Sequence, residues 1–359
     1  MTVLKPKNIY YMLSYAYHVL NEGTFKDVDS EDFENIHNLF AEIIYLGVSN
    51  QIKRGINREY EEYTDSIGAV RGRINIRESL LTLTGNGDKI VCTFDEYTPN
   101  SPMNRVIKTT MQLLIDSEDV DSNRKIRLRS LMKYFGDVEL TNPQTVKWKS
   151  FRYHRNNATY KMLMNICYLI ISGMILSDAS GAHRLSEYIN DQKMHALYER
   201  FLFAYFKKHH PEFNVEREKI RWNIDDDAGT IIDFLPDMKT DITIRYQKRV
   251  LIIDAKYYSE ILVKTQYSDR QKMRSANLYQ IYSYVKNMDA DKNGSVEGML
   301  LYAGTGEELP ENLSAVFDGN KIHLRSLDLS GEWKDIAAKL ENIADEFKCG
   351  VNPQKASLQ

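Results

Sequence analysis

Two aspartates and a lysine are spaced so that a short hairpin would bring them together. The segment from Asp241 to Lys256 reads as two apolar strands joined by a two-residue turn at Gln247-Lys248. Counting outward from this turn places Asp241 directly opposite Asp254, with their Cβ atoms about 4.5–5.5 Å apart. Lys256 projects from the same face, because side chains alternate along a strand. The pattern predicts two carboxylates and one amine converging at the end of a strand pair.

Two facing carboxylates repel each other, and a divalent cation relieves that repulsion. We expect Mg²⁺, or Mn²⁺ in its place, to be bound by Asp241, Asp254 and the backbone carbonyl of Ala255. Such an ion polarises a phosphodiester and lowers the pKa of a bound water. Lys256 would orient or deprotonate that water, or stabilise charge in the transition state. The alternative interpretation is a surface salt bridge of Lys256, worth about 0–1 kcal/mol.

The acid-x-Lys pattern alone is not specific, since four such triplets occur besides the one that ends at Lys256. Only this one ends an apolar strand and has an acid placed across a hairpin from it. Asp237 is a competing candidate for that acid. Asp241 is preferred, because its 13-residue separation from Asp254 fits the cross-strand register.

Two residues outside the hairpin are further catalytic candidates. Glu199 lies on a helix predicted over 192–208, away from its apolar stripe, and would supply a third carboxylate. The alternative is a solvated helix glutamate. Gln280 lies on a helix predicted over 272–288 and would position substrate or water. The alternative is an ordinary glutamine on the helix surface.

The elements around these residues predict an α/β fold, α+β over the whole chain. Beyond about residue 190 we predict a mixed sheet flanked by helices, with strands near 213–223, 230–234, 240–246, 249–258, 296–303, 313–318 and 321–328. Ser330 is placed to cap a final helix, whose inner face carries Ile336, Leu340, Ile343 and Phe347. A mixed α+β domain precedes this sheet, with helices near 7–21, 31–52, 103–135 and 156–178 and strand-like runs between residues 60 and 94.

Composition limits the function further. The chain has 359 residues, enough for two domains, and a net charge of −3. Proteins that bind DNA without a partner usually carry a positive net charge, because neutralising phosphates supplies most non-specific affinity. Since this chain is slightly acidic, a DNA-binding surface must be local or must belong to another subunit. No glycine-rich phosphate-binding loop occurs, and we expect this chain to bind no nucleotide itself.

Cysteine usage and hydropathy indicate the compartment. The three cysteines are far apart, which argues against a disulfide framework or a thiolate zinc site and favours a reducing cytoplasm. No signal peptide is recognisable, and the apolar run over 162–176 is too short to span a bilayer. We therefore predict a buried helix there, a cytoplasmic protein and no membrane partner.

The sequence resembles the PD-(D/E)xK nuclease superfamily through Asp241, Asp254-x-Lys256 and the helix acid Glu199. Over nearly its full length it is similar to the McrC family, the nuclease subunits of McrBC modification-dependent restriction systems. The motifs that carry this resemblance include Arg54-Gly-Ile-Asn-Arg58-Glu-Tyr60, Val70-Arg-Gly-Arg-Ile74, Leu197-Tyr-Glu199-Arg-Phe201, Leu251-Ile-Ile-Asp-Ala-Lys-Tyr-Tyr258 and Leu278-Tyr-Gln280.

The change of pattern near residue 190 predicts a division into domains, and the resemblance implies a partner. Residues 1–150 would form a partner-engaging domain, 151–190 a helical connector, 191–350 the nuclease domain and 351–359 a tail. The partner would be a McrB-like hexameric AAA+ GTPase that recognises modified, methylated-cytosine DNA and translocates it. Such subunits dock into the pore of the hexamer through their N-terminal half and stimulate GTP hydrolysis, so that foreign double-stranded DNA is cut.

The residues also provide candidates for partner activation, and they leave rival functions open. Arg54, Arg58, Arg71 and Arg73 lie in turn-rich segments suited to a projecting finger, and an arginine supplied in trans can accelerate NTP hydrolysis. For any one of them, the alternative is an arginine that only solubilises a loop. A stand-alone repair nuclease or junction resolvase is a rival function, and a non-catalytic activator of an AAA+ protein is another.

Overall fold

A computed structural model of the chain divides it into two compact units. The sheet unit comprises residues 1–23 and 189–359, and the inserted unit comprises residues 24–188. The structure describes residues 5–16, 33, 35–83, 89–153, 160–180, 191–224, 234–257, 263–265, 268–304, 309–310 and 313–350. The expected strand residues 230–233 and helix residues 17–21 lie outside these ranges.

The boundary predicted at residue 150 does not coincide with this division. Helix α1 (Pro6–Ala16) belongs to the sheet unit, where the Asn8 side chain donates hydrogen bonds to the backbone oxygens of Leu329 and Gly331 at 2.7 and 3.0 Å. The segment predicted as a connector, over 151–190, falls almost entirely in the inserted unit. Long-range contacts, which periodicity along the chain cannot reveal, decide both assignments.

The inserted unit combines helices with a small antiparallel sheet of order β1-β3-β2. Its elements are α2 (Ile36–Arg54), β1 (Glu59–Ile67), β2 (Arg73–Ile74), α3 (Ile76–Leu83), β3 (Ile90–Thr98), α4 (Pro102–Asp116), α5 (Ser122–Met132) and α6 (Tyr160–Ser180), with 3-10 turns at Lys133–Phe135, Pro143–Thr145 and Trp148–Ser150. The strand-like reading of residues 60–94 is wrong over α3. That helix begins after Asn75, whose backbone oxygen accepts a bond from the Ser79 amide at 2.9 Å.

Helix α6 contains the apolar run over 162–176, and its described side chains bear out the prediction of a buried helix. Ile166, Cys167 and Ile170 are fully buried. Within the described residues, none of the helices combines the length and apolar character needed to cross a bilayer. All three cysteines are free, and Cys92 and Cys167 are buried.

The sheet unit is built on a six-stranded mixed sheet of order β12-β13-β11-β8-β7-β4. Strand β11 runs parallel to both β8 and β13, whereas the other three pairs are antiparallel. The elements of this unit after α1 are α7 (Asp191–His209), β4 (Asn214–Glu216), β5 (Lys219–Ile220), β6 (Met238–Lys239), β7 (Ile242–Tyr246), β8 (Arg249–Tyr257), β9 (Val263–Thr265), β10 (Ser268–Lys272), α8 (Ser275–Met288), β11 (Val296–Gly304), β12 (Leu313–Phe317), β13 (Asn320–Asp328) and α9 (Trp333–Cys349). The predicted α/β sheet flanked by helices is confirmed.

Helices cover both faces of the central strand β8. Val250 and Ile252 pack with Ile281 and Val285 of α8 in one hydrophobic cluster. The alternate residues of β8 face α7 and α9. The ring of Tyr257 lies 6.4 Å from that of Tyr198 in α7, and the guanidinium carbon of Arg249 lies 4.9 Å from the ring centroid of Phe347 in α9. The strand is consequently buried almost throughout, and a polar residue on it must find its partners inside the protein.

Helix α9 begins two residues later than the sequence suggested. Its N-cap is Glu332, and the Ser330 hydroxyl instead donates to Asp328 Oδ1 at 2.6 Å. Asp328 ends strand β13 two residues before Ser330, so its carboxylate is close enough to accept the hydrogen bond of the Ser330 hydroxyl. The predicted inner face of α9 is nevertheless confirmed, with Ile336, Leu340, Ile343 and Phe347 buried.

Candidate active site

The hairpin register predicted from the sequence is confirmed. Tyr246 lies opposite Arg249, and Ile242 lies opposite Ile253. Gln247 adopts a φ of 54° in the two-residue turn, as the tight hairpin connections require. Continuing this register one step beyond the first residue of β7 brings Asp241 opposite Asp254.

Asp241 is fixed to strand β8 by its own side chain. Its Oδ2 accepts a hydrogen bond from the backbone N–H of Ala255 at 2.9 Å. The N–H and C=O of one strand residue point toward the same neighbouring strand. The carbonyl of Ala255 is therefore directed to the side on which Asp241 lies, where β7 has ended.

Asp254 and Lys256 form a buried ion pair, which makes the surface salt-bridge interpretation wrong. Their relative exposures are 1% and 6%, and Lys256 Nζ lies 2.7 Å from Asp254 Oδ2. Lys256 Nζ also donates to Gln280 Oε1 at 3.0 Å, and Gln280 Nε2 donates to the Tyr284 hydroxyl at 3.1 Å. Gln280 is half-buried and holds the lysine, so it is not an ordinary surface glutamine.

A glycine in the sheet lets helix α8 approach closely enough for this contact. A Cβ added to Gly298 of β11 would lie 2.8 Å from side-chain carbons of both Ile281 and Val285. Ile281 directly follows Gln280, so the close packing at Gly298 sets the depth at which Gln280 meets Lys256.

Glu199 is positioned by a neighbour one turn earlier on α7. His195 Nδ1 lies 2.7 Å from Glu199 Oε1, and both side chains are about three-quarters buried. Burial acts to raise the pKa of Glu199, but the hydrogen bond with His195 and the charges of His195, Arg217 and Lys256 hold it below its ordinary value. Glu199 is thus held ionised by His195 and the neighbouring positive charges, and it is not simply a solvated glutamate.

The two hairpin carboxyls bind protons more tightly than ordinary aspartates. Burial, followed by the charges of Asp254 and Glu199, raises the pKa of Asp241 to about 7. Burial also raises the pKa of Asp254, although the adjacent Lys256 opposes this effect. The cause is that carboxylates lie near one another where water is excluded. Binding of a proton or of a cation relieves the repulsion between them.

The residues at this point fit a small divalent cation. Among the described residues, no three His, Cys, Asp or Glu side chains are grouped closely enough to hold a metal by themselves. Mg²⁺ requires no such group, since one or two carboxylates suffice when waters and substrate phosphate complete its shell. Asp254 Oδ2 is buried and, among the residues described, receives no aligned hydrogen bond, although Lys256 balances its charge. With Asp241 and the Ala255 carbonyl, it would hold the ion.

Two polar residues beside this site were missed by the sequence analysis. His195 and Tyr284 each lie four residues from a candidate that was recognised, Glu199 and Gln280 respectively. This spacing places the members of each pair on one face of a helix, and it was the available signal. The competing acid Asp237 is exposed and pairs with Lys219 at 2.6 Å, outside the site.

The four candidate arginines lie in the inserted unit and are exposed. Arg54 ends helix α2, Arg58 directly precedes β1, and Arg73 lies on the two-residue strand β2. The guanidinium carbon of Arg71 lies 4.4 Å from the ring centroid of Phe94 on β3. Arg71 is therefore docked on the small sheet, and the structure assigns none of the four a catalytic role.

The chain belongs to the McrBC 5-methylcytosine restriction system component family, whose family model matches residues 4–303. It is similar to the type IV methyl-directed restriction enzyme EcoKMcrBC of Escherichia coli (strain K12), with 28% identity over 346 residues, 96% of this chain and 98% of that protein. The resemblance to McrC noted from the sequence is thereby confirmed.

A solved structure shares the fold. It is a half-complex from a tetradecameric assembly of Thermococcus gammatolerans McrB AAA+ hexamers with bound McrC. The TM-score is 0.51 at 16% identity, covering 94% of this chain and 76% of the matched one. At this identity the likeness supports the fold alone.

The raised pKa of Asp241 predicts a pH dependence of stability in the metal-free protein. A carboxyl with a raised pKa holds a proton in the folded state that the unfolded chain releases near pH 4. The free energy of unfolding therefore decreases as the pH rises from about 4 to about 7, the pKa of Asp241. We expect Asp241→Asn to flatten this decline in melting temperature measured in EDTA, and Asp237→Asn, at an exposed acid, to leave it unchanged. An unaltered profile in Asp241→Asn would show that this carboxyl is not the group concerned.

Proposed function

We propose that this chain is the nuclease subunit of a McrBC-type restriction system and hydrolyses phosphodiester bonds of double-stranded DNA. The observation that carries the proposal is the convergence of Asp241, Asp254 and Lys256 at the buried end of β8, with Lys256 held by Gln280. Paired carboxylates beside a fixed ammonium suit metal-assisted hydrolysis of a phosphate ester. Membership of a restriction-system family supports the nuclease assignment, and we place the site in the PD-(D/E)xK class.

Each residue has a distinct part in the proposed reaction. Asp241, Asp254 and the Ala255 carbonyl would hold Mg²⁺ or Mn²⁺, which when bound polarises the phosphate and acidifies a water. Lys256 presents its ammonium where a phosphate oxygen or the attacking water would sit, and stabilises the negative charge that develops there. Gln280 fixes the Lys256 Nζ through the 3.0 Å hydrogen bond. Glu199 and its partner His195 form an ionisable pair at the edge of the site, suited to accept a proton from the water.

The proposed partner is a McrB-like hexameric AAA+ GTPase that selects methylated-cytosine DNA. Support comes from the solved relative, in which McrC is bound to McrB AAA+ hexamers, and from the methyl-directed E. coli enzyme. We assign the stimulation of GTP hydrolysis to the inserted unit, with Arg54, Arg58, Arg71 and Arg73 as candidates. The family match argues against a stand-alone repair nuclease or junction resolvase. The buried ion pair of Asp254 argues against a purely non-catalytic activator.

The test is cleavage by the chain assembled with its AAA+ partner, with GTP and duplex DNA carrying methylated cytosines. We expect double-strand cleavage with Mg²⁺ or Mn²⁺, and intact DNA when EDTA replaces the cation. The partner alone should hydrolyse GTP without cutting. Cleavage at an unchanged rate in EDTA would refute the metal-dependent mechanism, and no cleavage with any divalent cation would refute the nuclease assignment.

A further inference from the structure

A line of contacts leads outward from Glu199 along helix α7. Phe203 lies one turn beyond Glu199 on this helix, and two cationic side chains lie near its ring. The Arg217 guanidinium carbon lies 5.2 Å from the ring centroid, and Lys207 Nζ lies 5.5 Å from it. Both cations are exposed to solvent, whereas the ring is half-buried. The carboxylate site is therefore continued, within two helical turns, by a positively charged surface.

Arg217 is the member of this surface nearest the site. It directly follows strand β4 and is close enough to Glu199 for its charge to lower the pKa of that carboxyl. Among the residues that the structure describes, no carboxylate lies within ion-pairing distance of it. Its acidic neighbour Glu218 is instead engaged by Arg245, at 2.8 and 2.9 Å. Arg217 is thus a cation that is held in place by an aromatic ring while its charge remains available.

An arginine in this situation is suited to one kind of ligand. A guanidinium on an aromatic face loses little conformational freedom on binding and can donate two parallel hydrogen bonds to phosphate oxygens. Successive phosphates of one DNA strand are spaced closely enough for a group beside Glu199 to reach the neighbour of the phosphate being cut. We propose that Arg217, seated on Phe203, binds a backbone phosphate adjacent to the scissile one and so positions the strand on the carboxylates. This inference rests on the proposed nuclease function.

The experiment compares Arg217→Gln, Arg217→Lys and Phe203→Leu in the full chain assembled with its AAA+ partner. Lys334→Gln, an exposed lysine at the start of α9, is the matched control. Cleavage of methylated duplex is measured as kcat and KM at several salt concentrations, and melting temperatures are recorded alongside. Arg217→Gln should lower kcat/KM about five- to tenfold, mainly through KM. Its logarithmic salt dependence should be shallower by about one, the contribution of one phosphate contact.

The other variants separate positioning from a structural role. Arg217→Lys should keep the salt dependence because it keeps the charge, and Phe203→Leu should give a partial loss through a less fixed guanidinium. A salt dependence in Arg217→Gln equal to that of the wild type would overturn the inference, as would an equal loss in Lys334→Gln. A wild-type complex that cuts with Mg²⁺ while Arg217→Gln is unaffected refutes only this inference. A wild-type complex that never cuts refutes the proposed function itself.

Discussion

Replacing Asp254 with Asn should reduce DNA cleavage by at least about a thousandfold, because several kcal/mol of cation-dependent transition-state stabilisation would be lost. The side chain is buried and paired with Lys256 at 2.7 Å, and Asn retains its shape while removing its charge. Lys256→Met should lower the rate comparably, since it removes the ammonium that we propose stabilises the reacting phosphate. The rates are measured with the assembled complex, GTP and Mg²⁺ on methylated duplex.

The fold must be shown to survive these changes. Burial raises the pKa of Asp254, so Lys256→Met leaves a carboxyl that can take up a proton and need not remain a buried charge. For Lys256→Met we therefore expect a melting temperature near that of the wild type. In Asp254→Asn the Lys256 ammonium keeps its hydrogen bond to Gln280 but loses its charged partner, so we expect this variant to fold with a lower melting temperature. Asp237→Asn changes an exposed acid outside the site and should cut at the normal rate. Near-normal cleavage by Asp254→Asn would remove this residue from the reaction.

GTPase stimulation should persist in the nuclease-dead Asp254→Asn protein and should be lost through changes in the inserted unit. All four arginines are exposed, and Arg71 is in addition docked on the ring of Phe94. We expect at least one arginine-to-alanine variant to bind the partner and yet reduce its stimulated GTPase at least about tenfold. Partner GTP hydrolysis and complex formation by gel filtration measure the two properties separately. If Asp254→Asn abolishes stimulation, or if no arginine matters, the division of labour is wrong.

Substitutions at Gly72 and Gly68 test whether GTPase stimulation depends on the position of strand β2 in the inserted unit. Gly72 has a φ of 67°, and a Cβ there would lie 2.3 Å from the backbone oxygen of Thr93. Gly72→Ala should therefore displace β2 from β3, at a cost of about 1–3 kcal/mol, and weaken stimulation. Among the described residues, and apart from its chain neighbours, no atom lies within 4 Å of a Cβ built on Gly68, so Gly68→Ala should stimulate normally. Equal behaviour of the two variants would show that the position of β2 does not matter.

The sequence specified the hairpin site well because its determinants are local. A two-residue turn fixes the register of both strands, and that register alone places Asp241 opposite Asp254 and Lys256 on the same face. Gln280 and Glu199 were recognised as candidates, but their contacts depend on how helices pack on the sheet. His195 and Tyr284 complete those contacts and became evident only in three dimensions.

Longer-range features could not be derived from periodicity. An amphipathic pattern shows that α1 must bury one face but does not show which element covers it. Its place in the sheet unit depends on Asn8 bonding to Leu329 and Gly331, more than 300 positions away. The alternation of polarity around α3 favours a strand, whereas the structure shows a helix that begins after Asn75. Tertiary packing decides such cases over local preference.

The proposed reaction requires that Asp241 and Asp254 together hold a divalent cation. This requirement is tested most directly by calorimetric titration of Mn²⁺ into the wild-type protein and into Asp241→Asn. We expect Mn²⁺ to bind the wild type at this site and to bind Asp241→Asn at least about tenfold more weakly, because one of two carboxylate ligands is lost. Identical Mn²⁺ affinity in the two proteins would contradict this expectation.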